Sequence, residues 1–234
     1  GGIDFLFKKN GITRLTGAAR IDGTGAVTLT SGPDAGSYSA ERILIATGSH
    51  PSSLPNIEID EERIVSSTGA LALTKLPKKM VVIGAGYIGL ELGTVWTRLG
   101  TEVEVIEFLP RILPGMDSEI ATKFMAIAKR QGLKFRLKTA VKSAKASASG
   151  VTLTVEPAAG GDAEKIKADV ALVAVGRHPA TDRLGLEDAG VALSDRGRIK
   201  VDARFETSLE DVFAIGDVID GPMLAHKAEE DGVA

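Results

Sequence analysis

The order of apolar and polar positions along the 234 residues separates four regions. Between residue 1 and about residue 50, short apolar stretches at 12–15, 26–30 and 42–46 predict strands. Turn signals at Gly23-Thr24-Gly25 and Ser31-Gly32-Pro33 separate them. The excursion returns into Ile43-Leu44-Ile45-Ala46, which reads as a buried strand ending at Thr47-Gly48. Residues 50–79 form a connector rich in Pro and Ser.

The third region has the strongest periodicity. Met80-Val81-Val82-Ile83 is apolar throughout, as a parallel strand covered on both faces requires. A glycine turn then opens a helix whose apolar residues Ile88, Leu92, Val95, Trp96 and Leu99 follow a 3.6-residue period. Gly100 stands where the helix end wants a left-handed residue. A strand at 102–106 follows. Asp117 or Ser118 can cap a second helix with an apolar face of Ile120, Phe124 and Ile127, and Gly132 stops it. Leu133, Phe135 and Leu137 alternate as a third strand. A hairpin turns near 147–150 with Val151, Leu153 and Val155 on one face, and 169–175 is a last apolar strand ending at Gly176. The fourth region, from about Thr181, holds a turn-rich stretch, a strand at 212–215 ending at Gly216-Asp217, and a helix starting near Leu224. Such strand–helix alternation predicts an α/β fold: a Rossmann-like doubly wound parallel sheet with an antiparallel β-meander.

One internal echo adds to this. Residues 43–51 and 171–179 both run as an apolar strand that breaks at a glycine, Gly48 or Gly176, and leaves through His-Pro. Two related nucleotide-binding halves account for the echo; two independent strand ends are the plainer alternative.

Candidate chemistry centres on Gly84-Ala85-Gly86-Tyr87-Ile88-Gly89, between strand and helix. Gly84 makes the tight turn, Gly86 lets the backbone approach a pyrophosphate, and Gly89 permits close helix–strand packing. The pyrophosphate would meet the open N–H groups and positive dipole of the helix start. Glu107 lies 23 positions after Gly84, at the end of the next strand, which is the context this motif requires. A carboxylate there accepts hydrogen bonds from ribose hydroxyls and repels a 2′-phosphate, favouring NAD over NADP. Arg111 is near enough in sequence to soften that preference. Gly216-Asp217 and Thr47-Gly48-Ser49 are weaker signals, since a strand-terminal Asp is more often a turn or cap residue. Glu91 has the ordinary reading of a solvated helix glutamate.

Composition narrows the chemistry further. The chain is 44% hydrophobic and 25% charged with a formal charge of −3, so electrostatics predicts neither nucleic acid nor an anionic membrane as partner. There is no apolar run of membrane-spanning length and no signal-peptide layout at 1–10, which predicts an intracellular compartment. With no cysteine, this chain supplies no thiolate, disulfide or iron–sulfur ligand. His50, His178 and His226 are far apart in sequence and lack metal-ligand spacing, so no metal site is expected.

Together these residues resemble the pyridine nucleotide–disulfide oxidoreductases, and most closely the dihydrolipoamide dehydrogenase branch. The resemblance rests on residues 82–93, on Val175-Gly176-Arg177-His178-Pro179, on residues 213–218 and 223–229, and on the opening Phe5-Leu6-Phe7-Lys8-Lys9-Asn10. Gly89 and Glu107 look like the NAD-dependent lipoamide enzymes; glutathione reductases usually carry alanine at the former position. The resemblance implies that Gly84, Ala85, Gly86, Tyr87, Ile88, Gly89, Leu90, Glu91, Glu107, Val141 and Gly176 serve NAD, with Glu91 near the nicotinamide and flavin rings. It implies that Ala19, Thr47, Gly48, Ser49, Asp217, Met223, Leu224, Ala225 and His226 serve FAD.

The implied layout is an NAD-binding domain at 73–180 inserted between FAD-domain pieces at 1–72 and 181–234. Family members also carry an FAD-binding glycine loop, a redox cysteine pair and a dimerisation domain with a catalytic His-Glu pair, none of which is present here. The expectation is an internal fragment, inactive alone and possessing no catalytic residue; a start without Met and a helix running into Ala234 agree with it. The whole enzyme would oxidise the dihydrolipoamide of a 2-oxoacid dehydrogenase complex through the disulfide, FAD and NAD. It would work as a homodimer, this piece alone as a monomer, in the bacterial cytoplasm or mitochondrial matrix. Mercuric or glutathione reductase-like enzymes, and a non-catalytic NAD(H)-binding module, are the competing readings.

Overall fold

A computed structural model describes residues 1–234. The chain folds as two compact units, residues 1–50 with 178–234 and residues 51–177. In chain order, the first unit begins with α1 (Gly2–Lys9), β1 (Ala18–Gly23), β2 (Ala26–Ser31) and β3 (Gly36–Ser39), then β4 (Ile43–Ile45) and β5 (Ser49–Pro51). The second unit holds β6 (Ile64–Val65), α2 (Ser67–Ala72), β7 (Lys79–Ile83), α3 (Tyr87–Arg98), β8 (Glu102–Ile106), α4 (Ser118–Arg130) and β9 (Lys134–Arg136). It continues with β10 (Thr139–Ser147), β11 (Gly150–Pro157), β12 (Glu164–Ala168) and β13 (Val170–Val173). The return comprises β14 (Arg177–Pro179), α5 (Leu186–Ala189), β15 (Val212–Ala214) and α6 (Ala225–Val233).

The second unit is built on a five-stranded parallel sheet in the order β6-β13-β7-β8-β9. In β6, β13 and residues 80–83 of β7 every position is apolar because both faces are covered, whereas β8 and β9 carry Glu102, Glu104, Lys134 and Arg136. Met80, Val82, Val103, Val105, Val170 and Leu172 point into one cluster with Leu90, Trp96 and Ala121 of the helices. Val81, Ile83, Ile106, Ala171 and Val173 point the other way, against Ala144, Val151, Leu153, Val155 and Ile166 of the antiparallel sheet β10-β11-β12. Period-two alternation in a continuous apolar run thus feeds two cores. The connector expected at 50–79, which the resemblance placed through residue 72 with the FAD-domain piece, supplies β6, whose Ile64 and Val65 pair with Ala171 and Leu172.

The buried helix faces differ from those expected. Ile88 and Leu92 are half-buried in α3, but Val95 and Leu99 face solvent; the buried residues are Gly89, Leu90, Gly93 and Trp96. In α4, Ile120 and Ile127 are exposed while Ala121 and Ala128 are buried, with Phe124 and Met125 packed beside them. Trp96 is buried as expected; Gly89, Gly93, Ala121 and Ala128 let each helix come close to the sheet, and Leu90 and Trp96 fill the space beside them. The helix ends agree with expectation. Asp117 caps α4 by accepting the Glu119 and Ile120 N–H groups, and Gly100 and Gly132 follow the two helices at φ +104° and +103°.

In the first unit, β4 and β15 pair in parallel over a core of Ile21, Ile43, Ile45, Val191, Ile199, Val212 and Ala214. The expected strand at 12–15 is absent. Ile12 and Leu15 are exposed, with no neighbouring strand to complete a ladder. Instead α1 forms upstream, its Asp4 meeting the N-terminal ammonium at 2.9 Å and Lys8 and Lys9 at its C-terminal end. β1 was not legible in Ala18-Ala19-Arg20-Ile21 because only pairing with β2 makes it a strand.

Candidate functional site

A crevice of about 500 Å³ opens in the second unit at the C-terminal ends of β7, β8 and β13. That is where an open parallel sheet leaves space, because the connections from neighbouring strands depart in opposite directions. Gly84, Gly86, Tyr87, Ile88, Glu107, Val141 and Gly176, all expected from the sequence, line it. Ala85, Gly89 and Leu90 lie buried behind the turn, and Glu91 stands exposed on α3 outside the lining. Sequence reasoning missed Leu54, Phe108, Thr139, Ala140 and Arg177, which enter the wall only through tertiary packing.

The three motif glycines have distinct steric reasons. Gly84 has φ +103°, and a Cβ on it would stand 2.4 Å from the Ala174 carbonyl oxygen. At Gly89 a Cβ would lie 2.2 Å from the Gly84 carbonyl oxygen, so helix and turn would be forced apart. Gly86 is different: a Cβ would meet no protein atom within 4 Å. The space a side chain would fill there is left open to the crevice. Gly86 is also the N-cap of α3, and no side chain caps that helix start. An anion in the crevice would therefore meet backbone donors and the positive end of the helix dipole.

Glu107 completes the turn from the next strand. One carboxylate oxygen accepts the Ala85 N–H at 2.7 Å, and the other accepts the Leu109 N–H at 2.9 Å. Because a carboxylate offers about four acceptor positions, two remain for hydroxyl groups of a ligand. Arg111 forms no direct ion pair with this carboxylate. Its Nη2 donates to the carbonyls of Leu113, Pro114 and Met116 at 3.3, 3.0 and 2.5 Å, so its guanidinium is engaged in holding its own loop.

The first unit contains a second crevice, about 370 Å³, lined by Gly48, Gly216, Asp217, Ala225 and Ala228 among others. Gly48 and Gly216 take φ +73° and +77°, turning the chain sharply at the ends of β4 and β15. Ser49 Oγ donates to Asp217 at 2.6 Å, which ties the two strand ends together. Thr47 is turned to the Ala180 carbonyl at 2.8 Å. Met223 and Leu224 are half-buried and His226 is exposed beside the start of α6; Ala19 sits in β1 opposite Leu29, away from the lining. Asp231, unremarked in the sequence, accepts the Gly216 N–H at 2.9 Å and pairs with Lys227 at 2.6 Å. Its i,i+4 spacing from Lys227 was the available signal. No three His, Asp or Glu side chains converge in a metal-binding group.

A glycine turn, an uncapped helix start and a strand-end carboxylate around one crevice define a dinucleotide-binding α/β protein. The comparisons carry this to a family. The model described as "Pyridine nucleotide-disulphide oxidoreductase" matches residues 1–232, and the chain belongs to that family. Over its full length it is 53% identical to "Leghemoglobin reductase" of Glycine max, of which it covers 45%. It is likewise 53% identical to "Dihydrolipoyl dehydrogenase, mitochondrial" of Pisum sativum, covering 47%. Among solved structures, LpdA of Mycobacterium tuberculosis superposes with a TM-score of 0.88 at 26% identity, over 99% of this chain and 51% of the other. The chain thus spans about half the length of the relatives it matches.

Proposed function

We propose that the chain supplies the NAD-binding unit and part of the FAD-binding unit of a dihydrolipoamide dehydrogenase. In this reading residues 51–177 bind NAD. The Gly84–Gly89 turn and the start of α3 hold the pyrophosphate, Glu107 grips the adenosine ribose, and Val141 and Gly176 border the ligand. The first unit binds part of FAD, with Asp217 toward the ribityl chain and Thr47, Gly48, Ser49 and residues 223–226 around it. Bound together, these cofactors supply hydride transfer, which no side chain of this chain performs. Its residues orient the cofactors and set the local charge. The proposed substrate of the whole protein is the dihydrolipoamide arm of a 2-oxoacid dehydrogenase complex. A mitochondrial location is favoured over a bacterial cytoplasm by the name of the pea relative. No helix is long and apolar enough to cross a membrane.

One observation carries this reading: a carboxylate at the end of β8 is hydrogen-bonded to the glycine turn inside a crevice that has room for a ligand. Calorimetry on the chain with NADH and NADPH tests it, with NADH the preferred ligand. Equal binding of the two, or none, would refute the site assignment. For the whole protein, dihydrolipoamide-dependent reduction of NAD⁺ is the expected activity, and its absence would refute the enzyme assignment while leaving nucleotide binding intact.

A further inference from the structure

His50 and His178 lie 128 positions apart, yet their ring centres are 5.7 Å from each other in the structure. The cause is topological. Each closes one of the echoed strand–glycine–His-Pro segments, and the exits β5 and β14 pair side by side as a two-stranded sheet. Both histidines sit at the middle position of a three-residue strand, and both are exposed. Side chains alternate across a strand. Ser49, the immediate neighbour of His50, therefore points to the opposite face, where it meets Asp217.

We propose that His50 and His178 form a two-imidazole site for a borderline transition-metal ion of the Ni²⁺, Cu²⁺ or Zn²⁺ class. Neutral imidazole is a preferred ligand of these ions. Bonds of about 2.0–2.1 Å from one ion allow its two nitrogen donors to stand up to roughly 4 Å apart. Rings centred 5.7 Å apart can present facing nitrogens within that span. Because the rings are exposed, the remaining coordination positions belong to water, which agrees with the absence of any third protein ligand. The fold holds the two rings close before the ion arrives, so the second Metal–N bond forms at high effective concentration. The ion would fasten β5 to β14.

The test is calorimetric titration of the chain with NiCl₂ for wild type, His50→Gln, His178→Gln and the double variant. Wild type should bind one ion at least about tenfold more tightly than either single variant, as chelation through two ligands predicts. Both single variants should resemble the double variant. Electron paramagnetic resonance of the Cu²⁺ form should show two imidazole nitrogens in wild type and at most one in each single variant. Nickel affinity unchanged by either substitution would overturn the proposal, as would a Cu²⁺ signal with a single imidazole in wild type. Exposed positions tolerate glutamine, and circular dichroism confirms that each variant is folded before its titration is read.

Discussion

Replacing Glu107 separates the two jobs its carboxylate performs. In Glu107→Ala the Ala85 N–H loses its acceptor. Ala85 is fully buried beneath that carboxylate, and water entering from the crevice is the only replacement acceptor, so the loss is at most that of an unsatisfied buried donor. An unsatisfied buried donor costs about 1–3 kcal/mol, which lowers the melting temperature by roughly 3–5 °C per kcal/mol for a unit of this size. The Leu109 N–H is less costly to strand, since Leu109 is exposed. Glu107→Gln keeps one oxygen for Ala85 and gives up the charge and the Leu109 bond, which is the exposed one, so its melting temperature should fall less. Ligand binding separates the variants further. With the charge gone, ribose hydroxyls lose a charge-assisted acceptor, worth about 1 kcal/mol more than a neutral one, and NADH weakens about fivefold. Repulsion of a 2′-phosphate also disappears. Unit charges about 4 Å apart interact by about 1 kcal/mol in water and about 4 kcal/mol at an effective dielectric of about 20, and a crevice mouth lies near the lower end. The NADH over NADPH preference should therefore narrow by roughly five- to thirtyfold. Calorimetry with both nucleotides on wild type and Glu107→Gln reads this directly. An unchanged preference would refute the role given to Glu107, even if Glu107→Ala proved unstable as predicted.

Three further outcomes follow from local geometry. Gly89→Ala should destabilise by about 1–3 kcal/mol because its Cβ would meet the Gly84 carbonyl at 2.2 Å, whereas Gly93→Ala should stabilise by about 0.5–1 kcal/mol, its nearest neighbour being Val103 at 3.6 Å; chemical denaturation of both variants checks the opposite signs. Asp231→Ala should strand the Gly216 N–H and the Lys227 ammonium, lowering the melting temperature and weakening FAD retention in the first unit, read by scanning calorimetry and flavin fluorescence. Partial burial raises the Asp60 carboxyl pKa, but N–H groups of Glu62, Ile64 and Arg63 at 2.8, 2.9 and 2.7 Å outweigh it and hold the pKa below the ordinary value. A depressed folded pKa stabilises above the unfolded value of about 3.9 and loses that contribution as pH falls through the folded pKa. Melting curves between pH 5 and pH 2 should thus show a smaller acid-side loss in Asp60→Asn than in wild type, the other depressed carboxyls such as Asp22 and Asp202 keeping the remainder.

Local pattern alone was enough for the central strand–turn–helix–strand segment. A strand buried on both faces must be apolar throughout, a turn at φ +103° needs glycine, and helix ends need Asp117, Gly100 and Gly132. Each of these requirements acts over a few residues and so is written in the neighbouring sequence. The tertiary structure decided what depends on distance. It turned Val95, Leu99, Ile120 and Ile127 outward and buried Gly89, Gly93, Ala121 and Ala128 beside Leu90 and Trp96, because close approach to the sheet is a property of the packed pair. It made a strand of Ala18–Gly23 and denied one to Ile12 and Leu15, because a ladder exists only where a partner strand does. It also set Asp231 of α6 against the Gly216 turn and brought His50 to His178, 128 positions away, because strands β5 and β14, far apart in the chain, became neighbours.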